Sequence, residues 1–111
     1  MENNIALMFM HWFSDFCMQD DETAIAKSSN ILFLLWHCFV YTFFFLLFLN
    51  YYKLPFFIIL FISHFFIDFV SSKLNAYLWK KEMRHYFFVS IGFDQFLHIA
   101  TILYLAEKFT K

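Results

Sequence analysis

Glycine and proline are nearly missing from this chain of 111 residues, which holds one of each. Without these breaks, long uninterrupted helices are favoured. Charge is scarce and balanced: eight Lys and Arg against nine Asp and Glu, net −1. There is no basic footprint for nucleic acid, so no nucleic-acid partner is expected. The two cysteines, Cys17 and Cys38, both lie in apolar segments and suggest no disulfide framework. A Gly-rich phosphate loop is absent, as is any Ser-His-Asp arrangement with a convincing nucleophile. The start, MENNIALMFM, carries an acid where a signal peptide would be basic, and no small-residue cleavage site follows, so it is expected to be retained.

What the chain has in abundance is apolar surface. Hydrophobic residues make up 62% and phenylalanine fills 20 positions. A soluble fold of this size could not bury so much. The solvent is expected to be lipid, and residues 1–111 to form a single integral membrane domain. Four apolar segments mark helices at about 4–19, 30–50, 54–80 and 85–109. The expected fold class is all-α: a membrane-embedded bundle of four transmembrane helices, with an amphipathic extension after the third, from Ser71 to Arg84, on the membrane surface. Ser28 to Asn30 can cap the second helix, and Pro55 suits a first helical turn. Asn50 to Lys53 reads as a tight turn with interfacial aromatic anchors.

Lys27, Lys73, Lys80, Lys81 and Arg84 fall in the first and third loops; Lys53, Lys108 and Lys111 fall on the other side. Positive-inside bias then puts the first and third loops in the cytoplasm and both termini outside.

Three acids sit inside apolar segments, each with a histidine four residues away: His11 with Asp15, His64 with Asp68, and Asp94 with His98. A further histidine, His37, lies within the second segment. Residues four apart share a helical face, so each pair can aim two ligands at one spot. At ~1.5 Å per residue, all seven groups fall within roughly 5–15 Å of one membrane face. Ionisable groups at that depth are costly unless paired, and they usually mark function. Imidazole with carboxylate suits a divalent transition metal such as zinc, manganese or iron. Seven ligands exceed a single zinc site, so one or two ions are expected, held by His11, Asp15, His37, His64, Asp68, Asp94 and His98. Asp68 or Asp94 would bridge the ions or take a proton, the catalytic roles in a hydrolase. Gln19, Tyr41 and Gln95 are expected to hold the ligands in place, Tyr41 through His37. Two blander readings compete: hydrogen-bonded helix glue and a proton or ion pathway. Cys38 is read as a buried free thiol and His85 as a surface residue.

HWFSDFCMQ, Lys27, the mid-span His37, SHFFIDFVSSKL and GFDQFLHIATILYL together resemble the domain-of-unknown-function 3307 family, small membrane proteins of bacteria and their phages. The resemblance covers nearly the whole chain and carries over to His11, Asp15, Gln19, His37, His64, Asp68, Asp94, Gln95 and His98. More distantly, the layout is similar to the LexA-regulated, membrane-bound metal-dependent hydrolases. That likeness implies a metal; with no large soluble domain to hold a polar substrate, a substrate would come from the lipid or the adjacent cytoplasmic surface. A non-enzymatic membrane effector with a structural His/Asp site, and a metal or proton transporter, are the other functions considered. The apolar runs FFFLLFL and ILYLA argue against a continuous path in a monomer, and the lipid-facing surface leaves room for a homo-oligomer.

Overall fold

The computed structural model describes residues 4–109 apart from 20 and 51, and leaves the side chains of 21 and 24 undescribed. Lys111, which entered the charge balance, Tyr51, one of the turn aromatics, and the first three residues lie outside it.

Regular structure among the described residues is helical. Helix α1 (Asn4–Trp12) runs into a π-helical turn (Phe13–Cys17); α2 (Asp21–Ala26) is short, and α3 (Ile31–Phe48), α4 (Leu54–Lys80) and α5 (Arg84–Lys108) are long. These last three are long and apolar enough to cross a membrane. Asn30 caps α3 by accepting from the Leu32 amide at 3.0 Å, and Pro55 sits in the first turn of α4. Two local features depart from the sequence reading. The polar stretch after Gln19 folds into α2, where a loop is expected. The first segment widens at Phe13, whose carbonyl takes the Met18 amide at 3.0 Å, an i to i+5 bond of the π type.

The helices pack as a closed ring. α1 lies on α3 and α5, α3 on α4, and α4 most extensively on α5. α1 and its π turn thus form the fourth wall. The residues after Ser71 continue α4 without a break to Lys80. This is the helical extension expected there; on it Leu78 is buried and Trp79 meets Phe87 of α5 at 4.9 Å. With no glycine at hand, the stop of α4 falls on Glu82, whose φ of 59° is left-handed. A non-glycine residue pays roughly 1–2 kcal/mol for that conformation. The Met83 amide then reaches back to the Leu78 carbonyl at 3.0 Å, completing a Schellman-type stop.

One half of the bundle interior is apolar. Leu7, Met10, Phe45, Phe56, Leu60, Ile102 and Leu105 pack there with Tyr41. Tyr52, expected at an interface, turns inward and stacks on Phe56 at 4.6 Å. Its neighbour Lys53 bonds through its amide to the Phe109 carbonyl, tying the α3–α4 turn to the end of α5. The polar half lies toward the α2 and α4–α5 end, and it holds the histidines and acids.

Candidate metal centre

Helical spacing brings the ionisable groups together from four directions. α3 descends from Asn30 and presents His37 after two turns. α4 rises toward Lys80 and presents His64 and Asp68 one turn apart. α5 descends again with Asp94 and His98. The π turn supplies Asp15. All six are buried.

Asp15, His37, His64 and Asp68 form one group whose ligand atoms all lie within 4.8 Å of one another; Asp68, Asp94 and His98 form a second. Asp68 belongs to both, one oxygen to each. Its Oδ2 lies 3.2 Å from His37 Nε2 and 3.2 Å from His64 Nε2, while its Oδ1 lies 3.0 Å from His98 Nε2. His98 Nε2 is also 3.3 Å from Asp94 Oδ1.

His37 and His64 bring their Nε2 atoms to 3.0 Å. His37 Nε2 is 2.8 Å from Asp15 Oδ1, yet that oxygen has no hydrogen bond of good geometry. Unpaired buried acceptors are rare and call for a partner such as an ion. Charge argues the same way. Three carboxylates face one ammonium, Lys27, whose Nζ is 3.1 Å from Asp68 Oδ2, leaving two negative charges in the bundle when the histidines are neutral. A single divalent cation cancels them. Mixed imidazole and carboxylate donors of this kind suit first-row transition ions. The described residues therefore include two groups able to hold a metal ion.

Lys27 arrives from the α2–α3 connection. Burial disfavours its ammonium, but Asp68 and then Asp15 outweigh that, and its pKa stands above the ordinary lysine value. In the sequence Lys27 stands out only as a topology signal and as part of a motif; its reach to a residue 41 positions away has no local signal.

His11, expected as a ligand, is in neither group. Its Nε2 lies 3.7 Å from Asp15 Oδ2 and only 2.6 Å from Gln95 Oε1. Its two ring nitrogens are taken up by hydrogen bonds to Gln95 and Tyr41. The hydrogen-bond roles follow from Asp94. A carboxylate only accepts, so the Gln95 amide nitrogen donates to Asp94 Oδ2 at 3.0 Å, leaving Gln95 Oε1 to accept from His11. His11 Nδ1 is then the bare nitrogen, and the Tyr41 hydroxyl donates to it at 2.8 Å. Both His11 nitrogens are engaged. Tyr41 thus meets His11 through its hydroxyl, where His37 was expected, and its ring stacks on His64 at 3.9 Å. Gln95 does reach an acid, as expected. The Gln19 Oε1 atom is buried without a partner, close to His37 across a small hollow that Thr23 also lines.

Ser71 was not singled out from the sequence. Its hydroxyl donates to Asp94 Oδ1 at 2.6 Å; its place one turn past Asp68 was the available signal. Partners that fix a ligand are worth roughly 10–100-fold in metal affinity. Ser71→Ala is expected to weaken metal binding by about 10-fold, read by competition with a chromophoric chelator, with the helix content unchanged. Cys38 is buried and Cys17 exposed, both as free thiols, and His85 is exposed.

No curated protein and no solved structure matches this chain. A family model described as "Protein of unknown function (DUF3307)" matches residues 4–111, the whole of the ring and both His/Asp groups, and the chain belongs to that family.

Proposed function

We propose that the protein is a membrane-embedded metal-dependent hydrolase acting on a phosphate or other ester at head-group level. The carrying observation is the division of Asp68 between two ligand groups, one oxygen to each. Asp15, His37, His64 and Asp68 would hold one ion, and Asp68, Asp94 and His98 a second, with zinc, manganese or iron fitting the donors. Such ions supply Lewis acidity for an ester hydrolysis.

The chain's own residues do the rest. Ser71 and Gln95 hold both oxygens of Asp94. At 8% exposed, Asp94 is the most accessible of the three acids, against 4% for Asp15 and 2% for Asp68. It is the carboxylate placed to take the proton of an attacking water. The water oxygen bonds to the phosphorus or carbonyl carbon, the ester bond breaks, and the leaving oxygen takes up a proton. Lys27 places a positive charge beside Asp68 to meet an anionic oxygen. α1 with its π turn serves as a fourth membrane-embedded wall. On this reading the membrane is a bacterial inner membrane, and the five basic residues against three support a cytoplasmic side for the first and third loops. The partner is the bilayer, and the lipid-facing residues leave room for a homo-oligomer.

A second reading, a structural His/Asp site in a non-enzymatic membrane effector, is favoured by the burial of every ligand and by the Lys27 pairing, since a structural site is closed. Transport is less favoured, because the apolar half of the interior closes off the other face.

Metal analysis by plasma mass spectrometry on detergent-purified protein, with hydrolysis of bis(p-nitrophenyl) phosphate, p-nitrophenyl phosphate and p-nitrophenyl butyrate after loading with zinc, manganese or iron, tests this reading. One or two metal equivalents and a turnover lost in Asp94→Asn are expected. Bound metal with no turnover on any probe would replace the hydrolase with the structural reading. A folded protein that takes up no metal would overturn both.

A further inference from the structure

Between the ligand groups and the α4–α5 turn, the surface carries a cleft of about 260 Å³, slightly below the ~300 Å³ at which small-molecule sites usually begin. Lys27, Ser72, Asn75, Trp79, Phe87 and Ile91 line it. Their spacing is regular. On α4, Asp68, Ser72, Asn75 and Trp79 follow at i, i+4, i+7 and i+11, which is one helical face. On α5, Phe87, Ile91, Asp94 and His98 repeat the same intervals in the opposite direction. Cleft and ligand groups are therefore one seam between two antiparallel helices, polar at depth and aromatic at its outer end.

Inside this cleft the Ser72 hydroxyl and the Asn75 carbonyl oxygen are buried and have no hydrogen-bond partner. Asn75 Oδ1 can only accept, so it asks for a hydroxyl or amine; Ser72 can do either. Lys27 lines the cleft while its ammonium touches Asp68. An ammonium has three protons to give, and this contact uses one. Trp79 and Phe87 offer a wall for chain or glycerol carbons. At the outer end, the Arg84 guanidinium lies 3.7 Å over the Trp79 ring, and Lys80 and Lys81 follow Trp79 in the sequence at the end of α4. Basic clusters of this kind draw anionic head groups.

We infer that this cleft binds the head group of an anionic phospholipid bearing hydroxyls, with the phosphate toward Lys27 and a head-group hydroxyl on Asn75. As the substrate class of the proposed hydrolase it rests on that reading; as a binding site it is tested separately.

Native mass spectrometry of the detergent-solubilised full chain, titrated with phosphatidylglycerol, phosphatidylcholine or free sn-glycerol 3-phosphate, reads occupancy without any turnover. Phosphatidylglycerol is expected to bind at least about 10-fold more tightly than phosphatidylcholine. Asn75→Leu and Ser72→Ala should each reduce that preference several-fold, with metal content and helix content at the wild-type value. Equal binding of the two lipids, or variants that bind phosphatidylglycerol like wild type, would overturn the site. Glycerol phosphate binding as tightly as the lipid would overturn the lipid as its source. Selective lipid binding without ester hydrolysis would leave the site standing and remove only the hydrolase.

Discussion

Asp68→Asn should empty both halves of the centre, whereas Asp15→Asn and Asp94→Asn should each empty one. The expectation follows from the two oxygens of Asp68, Oδ2 turned to His37 and His64 and Oδ1 to His98. An amide offers one oxygen and one N–H group, so it cannot serve both sides. Loss of an outer partner alone costs roughly 10–100-fold in metal affinity, so loss of a shared ligand should exceed about 100-fold. Plasma mass spectrometry on wild type and the three variants gives the answer. Near-complete loss in Asp68→Asn with partial retention in the other two supports two ions on a shared carboxylate; the same loss in all three means one ion. Folding must be separated from binding, because the substitution also strips Lys27 of its partner. Breaking a buried pair costs about 3–5 kcal/mol when the survivor stays buried. The Lys27 side chain is 17% exposed and long enough to reach outward, so the cost should be smaller and the variant should fold. Lys27→Met combined with Asp68→Asn removes the orphaned charge altogether. If metal is lost in the double variant as well, with helix content retained, the loss belongs to the ligand.

The long helices of the bundle are legible in the sequence because lipid imposes a simple rule: apolar runs of sufficient length, with the backbone bonded within each helix. Helix direction and residue rise predict that all seven His and Asp groups lie at one depth; six of them form the two ligand groups, and His11 does not join them. What escaped was set by features without a period. The π turn at Phe13 has no local signature, and neither do the contacts from Tyr41 and Gln95 that take up both nitrogens of His11. The helix α2 hides in a polar stretch whose composition reads as loop. Lys27 crosses from that stretch to Asp68, a contact between positions 41 residues apart that no helical periodicity encodes. Ser72 and Asn75, by contrast, do continue the face of Asp68. They were passed over because the serines and lysine around them look like the beginning of a connection, and the unbroken α4 shows them to be part of the interior seam.

Tyr41 and His11 provide the sharpest test of how the centre is supported. Tyr41 is fully buried, stacks on His64 at 3.9 Å and donates to His11 Nδ1 at 2.8 Å. Truncating a large buried aromatic side chain to alanine typically costs about 3–5 kcal/mol. Lipid tails are as apolar as the interior, so transfer contributes little here and the lost packing dominates; Tyr41→Ala should fall near the lower end, about 3 kcal/mol, in a denaturant titration in detergent. Metal should be lost with it, because His64 loses the ring that holds it flat. Tyr41→Phe keeps the ring and removes only the hydroxyl, so it should cost about 1 kcal/mol and leave metal content unchanged. His11→Ala should do the same, since both nitrogens of His11 are spent on Tyr41 and Gln95 and neither is directed at a ligand group. If His11→Ala sheds as much metal as His64→Ala, the histidine turns from its hydrogen bonds to the ion when metal binds, and the first segment contributes two ligands where the present geometry gives it one.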